Sequence, residues 1–157
     1  FDDVAPNQSM DISSWAYDHA ATMVDVVDNR AKGVACYHAG YTLVEKLQAI
    51  STKYRKQQET GGFPVNFMRH YYDVYCLLQQ STVLEFIGTD DYNTHKKRRF
   101  PGGDNPVIAK NEAFLLGDNS VYKDYEQAYQ KTKGLYYDEQ PEFSAIMKKI
   151  KNHVDEL

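Results

Sequence analysis

The sequence predicts an α+β fold that is predominantly helical, with a small β patch near the N-terminus. Three observations carry this expectation. Beyond residue 40, apolar residues recur at steps of three and four in several long stretches. Glycine and proline punctuation, at Gly61-Gly62, Gly88 and the run from Pro101 to Pro106, falls between those stretches rather than inside them. The short valine-bearing segments bounded by turn residues, Val24–Asp28 and Gly33–His38, lie near the start.

Taken in order, Asp11 to Met23 places Ile12, Trp15, Ala16, His19, Ala20 and Met23 on a helical period, with Asp11 as a possible cap. The two valine-bearing segments then read as small strands flanking a turn at Asn29. Thr42 followed by Glu45 has the spacing of a capping box, which predicts a helix starting there and ending at Gly61-Gly62. Its apolar stripe is Leu43, Leu47, Ile50 and Tyr54. A second helix over about Asn66 to Gln80 repeats the design with Phe67, Tyr71, Val74 and Leu78. Ser81 to Ile87 reads as a short helix stopped by Gly88. Residues 89–100 are polar and basic, and Pro101-Gly102-Gly103-Asp104-Asn105-Pro106 is the clearest loop. Two further helices are predicted over Asn119–Lys133 and Pro141–Val154, the latter with Pro141 in its first turn.

A chain of 157 residues is long enough to bury a core without covalent staples. Thirteen tyrosines against one tryptophan suggest rings at half-buried positions, their hydroxyls kept near water or a partner. The formal net charge of −4 argues against coating nucleic acid by bulk electrostatics and leaves a local basic patch open. Cys36 and Cys76 are far apart and lack CxxC spacing, so neither a disulfide framework nor a metal site is indicated, and a cytoplasmic location is expected. No apolar run approaches the length of a membrane helix. The chain opens at Phe1 without an initiator Met, and is expected to be a portion of a longer protein or a processed product.

The candidate chemistry sits on the two central helices. Lys46 and Lys53 are two turns apart, so both ammonium groups point the same way and offer a grip for phosphate. Arg69 and His70 precede Asp73 by four and three residues, which sets a carboxylate beside two possible cations. If the helices form an antiparallel hairpin across Gly61-Gly62, Lys46 faces Asp73, an arrangement suited to phosphoryl transfer. The plainer reading is an intrahelical ion pair and solvated lysines, which are commonplace. Likewise His38, His70 and His95 are isolated in sequence. The run Lys96-Lys97-Arg98-Arg99, between Tyr92 and Phe100, is a candidate RNA contact or simply a solvated helix end. Asp90 and Asp91 are adjacent rather than alternate, a poor pair for holding Mg²⁺.

The stretches Tyr41-Thr42-Leu43-Val44-Glu45-Lys46-Leu47-Gln48-Ala49-Ile50 and Arg69-His70-Tyr71-Tyr72-Asp73-Val74-Tyr75 resemble the two C-terminal motifs of the AbiEii/AbiGii nucleotidyltransferase toxins. The likeness continues in order through His95-Lys96, Arg99-Phe100, Asp124-Tyr125, and Pro141 with Phe143. The resemblance implies the helical C-terminal region of a nucleotidyltransferase-like fold, with residues 1–40 as the tail of the nucleotidyltransferase-like domain and 41–157 as a helical C-terminal domain. It also implies transfer of a nucleotide from an NTP with Mg²⁺ to an acceptor such as RNA, a toxin role in abortive infection, and a cognate antitoxin. Lys46 and Asp73 correspond to the motif lysine and aspartate, with Arg69 the arginine before the latter. Lys46, Lys53 and Arg69 are the expected nucleotide contacts. The family's upstream motif, Gly-Ser followed by a D-x-D/E carboxylate pair, does not occur in this sequence. No metal ligands are therefore assigned, and the chain alone is expected to be inactive. Asp2, Asp3, Asp25 and Asp28 are the first carboxylates to examine should that expectation fail. The alternatives from other classes are a non-catalytic helical module binding protein or RNA, and a degenerate family member.

Overall fold

The computed structural model describes residues 6–100, 102–136 and 140–157. The chain divides into two compact units, Phe1–His38 and Ala39–Leu157.

In the first unit, β1 (Asn7–Ile12) and β2 (Ala31–Tyr37) form a two-stranded antiparallel sheet that pairs Asn7 with Tyr37 and Ser9 with Ala35. The register is interrupted between Met10 and Ile12, where the Asp11 carboxylate accepts the Gly33 backbone N–H at 3.0 Å. Between the strands, α1 (Trp15–Ala21) is capped by Ser14, whose hydroxyl accepts the Tyr17 N–H. Two expectations are corrected here. The helix begins four residues after Asp11, because that residue belongs to the strand. Val24–Asp28 is not a strand: Val24 and Val27 are exposed, and Asp28 instead turns the chain by accepting the Arg30 N–H.

The second unit is helical. α2 (Ala39–Thr60) and α3 (Phe67–Leu77) pack along each other, followed by α4 (Ser81–Phe86), α5 (Asp90–Arg99), the single-turn α6 (Glu112–Leu115), α7 (Asn119–Gln130) and α8 (Phe143–Lys151). Leu43, Leu47, Ile50, Phe67, Tyr71, Val74 and Leu78 are all buried, so both predicted apolar stripes face the core. α2 starts one turn before the predicted capping box, which puts Thr42 inside the helix rather than at its cap. Gly61 ends α2 with φ +73 and its N–H on the Gln57 carbonyl at 2.8 Å, a left-handed terminus that glycine adopts without strain. Pro141 lies outside α8, whose cap position is Glu142. Of the predicted loop, Pro101 falls outside the described residues; Asp104 pins the remainder to α2 through Arg55 Nε at 2.9 Å and the Thr52 hydroxyl.

The polar segment 89–100 is mostly helix, and its ends explain why. Thr89 caps α5 by accepting the Tyr92 N–H, Asp90 and Asp91 occupy its first turn, and Lys96 to Arg99 its last. Acidic residues at the N-terminus and basic ones at the C-terminus complement the helix dipole.

The tyrosines are more deeply buried than expected. Tyr71, Tyr92 and Tyr125 are almost wholly inaccessible, and they resolve the cost of burial with internal partners: Ala113 O at 2.7 Å, Leu157 O at 2.5 Å and Gln57 Oε1 at 3.1 Å. Around them the rings of Phe67, Tyr125 and Phe143 meet Tyr71 at centroid distances of 5.7, 6.2 and 5.7 Å.

Gly40 supports the close approach of α2 and α4, since a Cβ there would lie 2.3 Å from Phe86 Cδ1 and 2.9 Å from Phe86 Cβ. Gly40→Ala is therefore expected to destabilise the unit by about 1–3 kcal/mol through overpacking, against the ~1 kcal/mol that alanine ordinarily contributes to a helix. Thermal unfolding followed by circular dichroism checks the sign; an unchanged or raised Tm would show that Phe86 moves aside freely.

Candidate functional site

The antiparallel course of α2 and α3 follows from two contacts. Lys46 Nζ lies 2.8 Å from Asp73 Oδ2, and Lys53 Nζ donates to Val65 O at 2.7 Å, so advancing along α2 means retreating along the chain toward α3's start. On α3, Arg69, Asp73 and Cys76 fall at intervals of four and three, which sets them along one face at the edge of the apolar stripe, and Gln80 follows just beyond the helix. Together with Thr42, Lys46, Asn66, His70 and Leu77 they line an open cleft of about 490 Å³.

Charge converges on one carboxylate in this cleft. Besides Lys46, Arg69 Nε stands 4.0 Å from Asp73 Oδ1 and His70 Nδ1 stands 3.8 Å from Oδ2. Burial pushes the Asp73 carboxyl up, but His70 and Lys46 more than offset it and hold the group below its ordinary range. The pair thus contributes stability above the ordinary carboxylate range, and loses it as pH falls through the depressed value. Two positive side chains and a histidine around a single acid leave the cleft with positive charge to spare, which suits an anionic ligand.

The other expected contacts separate. Lys53 is turned to the Val65 carbonyl rather than into the cleft, and burial followed by the nearby Lys56 lowers its pKa. The basic run does not form one face. Lys96 is half-buried against the Leu157 carbonyl and the Tyr92 ring, burial lowering its pKa. Lys96 and Lys97 line a larger cavity of about 640 Å³ with Phe100, Val107 and Ile108. Arg99, by contrast, approaches Glu45 at 3.9 Å. Arg98 is exposed. That cavity is bigger than the Lys46 cleft, and its inner carboxylate, Asp104, is held by Arg55 and Thr52.

Of the carboxylates proposed as reserves, Asp2 and Asp3 lie outside the described residues. Asp25 is exposed, and Asp28 is held well below its ordinary pKa by Arg30 and Lys32. Mg²⁺ does not fit the residues of the cleft: Asp73 is the one acid among them and is already engaged with Lys46, and among the described residues no group of three or more His, Cys, Asp or Glu is placed to hold a metal.

The two central helices thus set Lys46, Arg69 and Asp73 around one open cleft, the juxtaposition expected of the two motif helices. A family model described as "Nucleotidyl transferase AbiEii toxin, Type IV TA system" matches residues 1–149. The chain belongs to this family of toxins. Membership in a toxin–antitoxin family implies a cognate antitoxin as partner. No curated protein and no solved structure matches the chain. Among the described residues no helix is long and apolar enough to cross a membrane.

Proposed function

We propose that the cleft between α2 and α3 receives the triphosphate of an NTP in a nucleotide transfer reaction, with RNA as acceptor. The observation that carries the reading is the Lys46–Asp73 pair, 2.8 Å apart at the wall of an open, net-positive cleft. Lys46 neutralises phosphate charge, Arg69 adds to the field, and Asp73 orients or accepts a proton from the attacking or ribosyl hydroxyl. The Mg²⁺ of the reaction belongs with carboxylates other than Asp73, of the D-x-D kind that this sequence does not contain. By itself the 157-residue chain is therefore expected to transfer no nucleotide.

The test is a calorimetric titration of ATP, GTP, CTP and UTP into the 157-residue chain, with and without Mg²⁺. Binding is expected to be weak, to fade with added salt, to be indifferent to Mg²⁺, and to be lost in Lys46→Ala. Binding unaffected by that substitution would overturn the placement. Tight Mg²⁺-dependent binding would show instead that the chain holds a complete metal site.

A further inference from the structure

Among the residues that line the cleft, His70 is the one with a buried side-chain polar atom left without a hydrogen bond. Its Nδ1 is buried and without a hydrogen-bond partner. It sits 3.8 Å from Asp73 Oδ2, beyond hydrogen-bond reach, and that same oxygen is the one on which Lys46 Nζ rests at 2.8 Å. Buried ring nitrogens are rarely left unsatisfied, because desolvation without a compensating bond is costly. An atom in that condition, aimed at an oxygen held by another donor, suggests a second arrangement in which the donor is elsewhere.

We infer that His70 is a positioning residue that takes hold of Asp73 when a bound phosphate draws Lys46 away. The inference rests on the proposed seating of a triphosphate in this cleft. A phosphate oxygen competes with Asp73 for the single Lys46 ammonium. When the ammonium turns to phosphate, Asp73 Oδ2 loses its closest donor inside a partly buried site, where an unpaired carboxylate is costly. Arg69 Nε, at 4.0 Å, attends the other oxygen, Oδ1. The Nδ1–H of His70 needs an approach of less than about 1 Å to reach hydrogen-bond range of Oδ2, which a small rotation of the carboxylate supplies. Asp73 then stays ionised and fixed, and no longer follows Lys46 into competition with the ligand.

Inorganic triphosphate is the probe, titrated by calorimetry into the wild-type chain, Lys46→Ala, His70→Phe and His70→Asn. His70→Phe keeps the ring volume without the donor, whereas His70→Asn places an amide nitrogen near the position of Nδ1. His70→Phe is expected to bind triphosphate about tenfold more weakly, the low end for losing one hydrogen bond to a charged partner, and His70→Asn to recover most of that loss. In the wild type, the ¹⁵N resonance of His70 Nδ1 is expected to move to that of a protonated, hydrogen-bonded nitrogen as triphosphate saturates. A merely structural histidine would show no such ligand-linked change. Lys46-dependent binding with a stationary Nδ1 resonance, or with no loss in a folded His70→Phe, overturns the role of His70 alone. Binding indifferent to Lys46→Ala overturns the seating of the ligand, and the inference with it. Should His70→Phe fail to fold, the wild-type resonance decides.

Discussion

Lys46→Ala and Asp73→Asn are each expected to slow nucleotide transfer by about a hundredfold or more in any form of the protein that carries out the reaction. The physical ground is that each change removes one charge from the reacting centre, and a single electrostatic stabiliser or proton acceptor typically accounts for two to three powers of ten in rate. Neither change opens a core cavity, because both side chains lie on the cleft wall and remain partly exposed. The helices should therefore keep their packing. The two variants differ in one respect that makes the pair informative. Lys46→Ala weakens phosphate binding as well as turnover. Asp73→Asn releases Lys46 from its partner, so it should lower the rate without weakening, and even while strengthening, NTP binding. Steady-state transfer with saturating NTP, beside circular dichroism of each variant, is the measurement. Turnover within a few-fold of the parent in either variant would remove that residue from the mechanism.

The second large effect concerns stability. Phe143, at the start of α8, is buried, and its ring meets Tyr71, Tyr122 and Tyr129 at centroid distances of 5.7, 5.5 and 5.4 Å. Truncation to alanine removes the ring from a site walled by three other rings, which cannot collapse far because Tyr71 is tethered to the Ala113 carbonyl. Phe143→Ala is expected to cost about 3–5 kcal/mol, a large part of the total for a domain of this size. Urea unfolding should show a lower midpoint at unchanged slope. Phe143→Leu, which refills most of the space, should cost far less. A loss below about 1 kcal/mol in the alanine variant would mean that α8 contributes little to the core.

What could be foreseen from the sequence follows physical lines. The two motif helices were legible because Leu43, Leu47, Ile50, Phe67, Tyr71 and Val74 repeat at the helical period and are all buried. With both faces so fixed, Lys46 and Asp73 had to meet at the seam. β1 was not legible. Its residues, Asn7 to Ile12, hold few apolar side chains and lie mostly exposed, so the strand is held by backbone pairing, which leaves no trace in side-chain pattern. α5 escaped for the complementary reason, being held by a cap and by end charges with only Tyr92 and His95 buried. Its basic run also shows why adjacency in sequence misleads. Successive residues of a helix point about 100° apart around its axis, so Lys96, Lys97 and Arg98 turn to different sides, while Lys96 is held by the Leu157 carbonyl and Arg99 approaches Glu45. Asn66 and Gln80, which line the cleft, carry no signal on their own and become visible only once the face shared by Arg69 and Asp73 is drawn.

The single tryptophan, Trp15, belongs to the first unit and is exposed, whereas the tyrosines with buried rings all belong to the second. The two units therefore carry separate optical labels. Light at the red edge of the protein absorption band excites Trp15 alone, while the near-ultraviolet dichroism of immobilised tyrosine rings comes from the helical unit. Followed together during heating, the two signals tell whether the strand-bearing unit melts with the helices or before them, without any label being added.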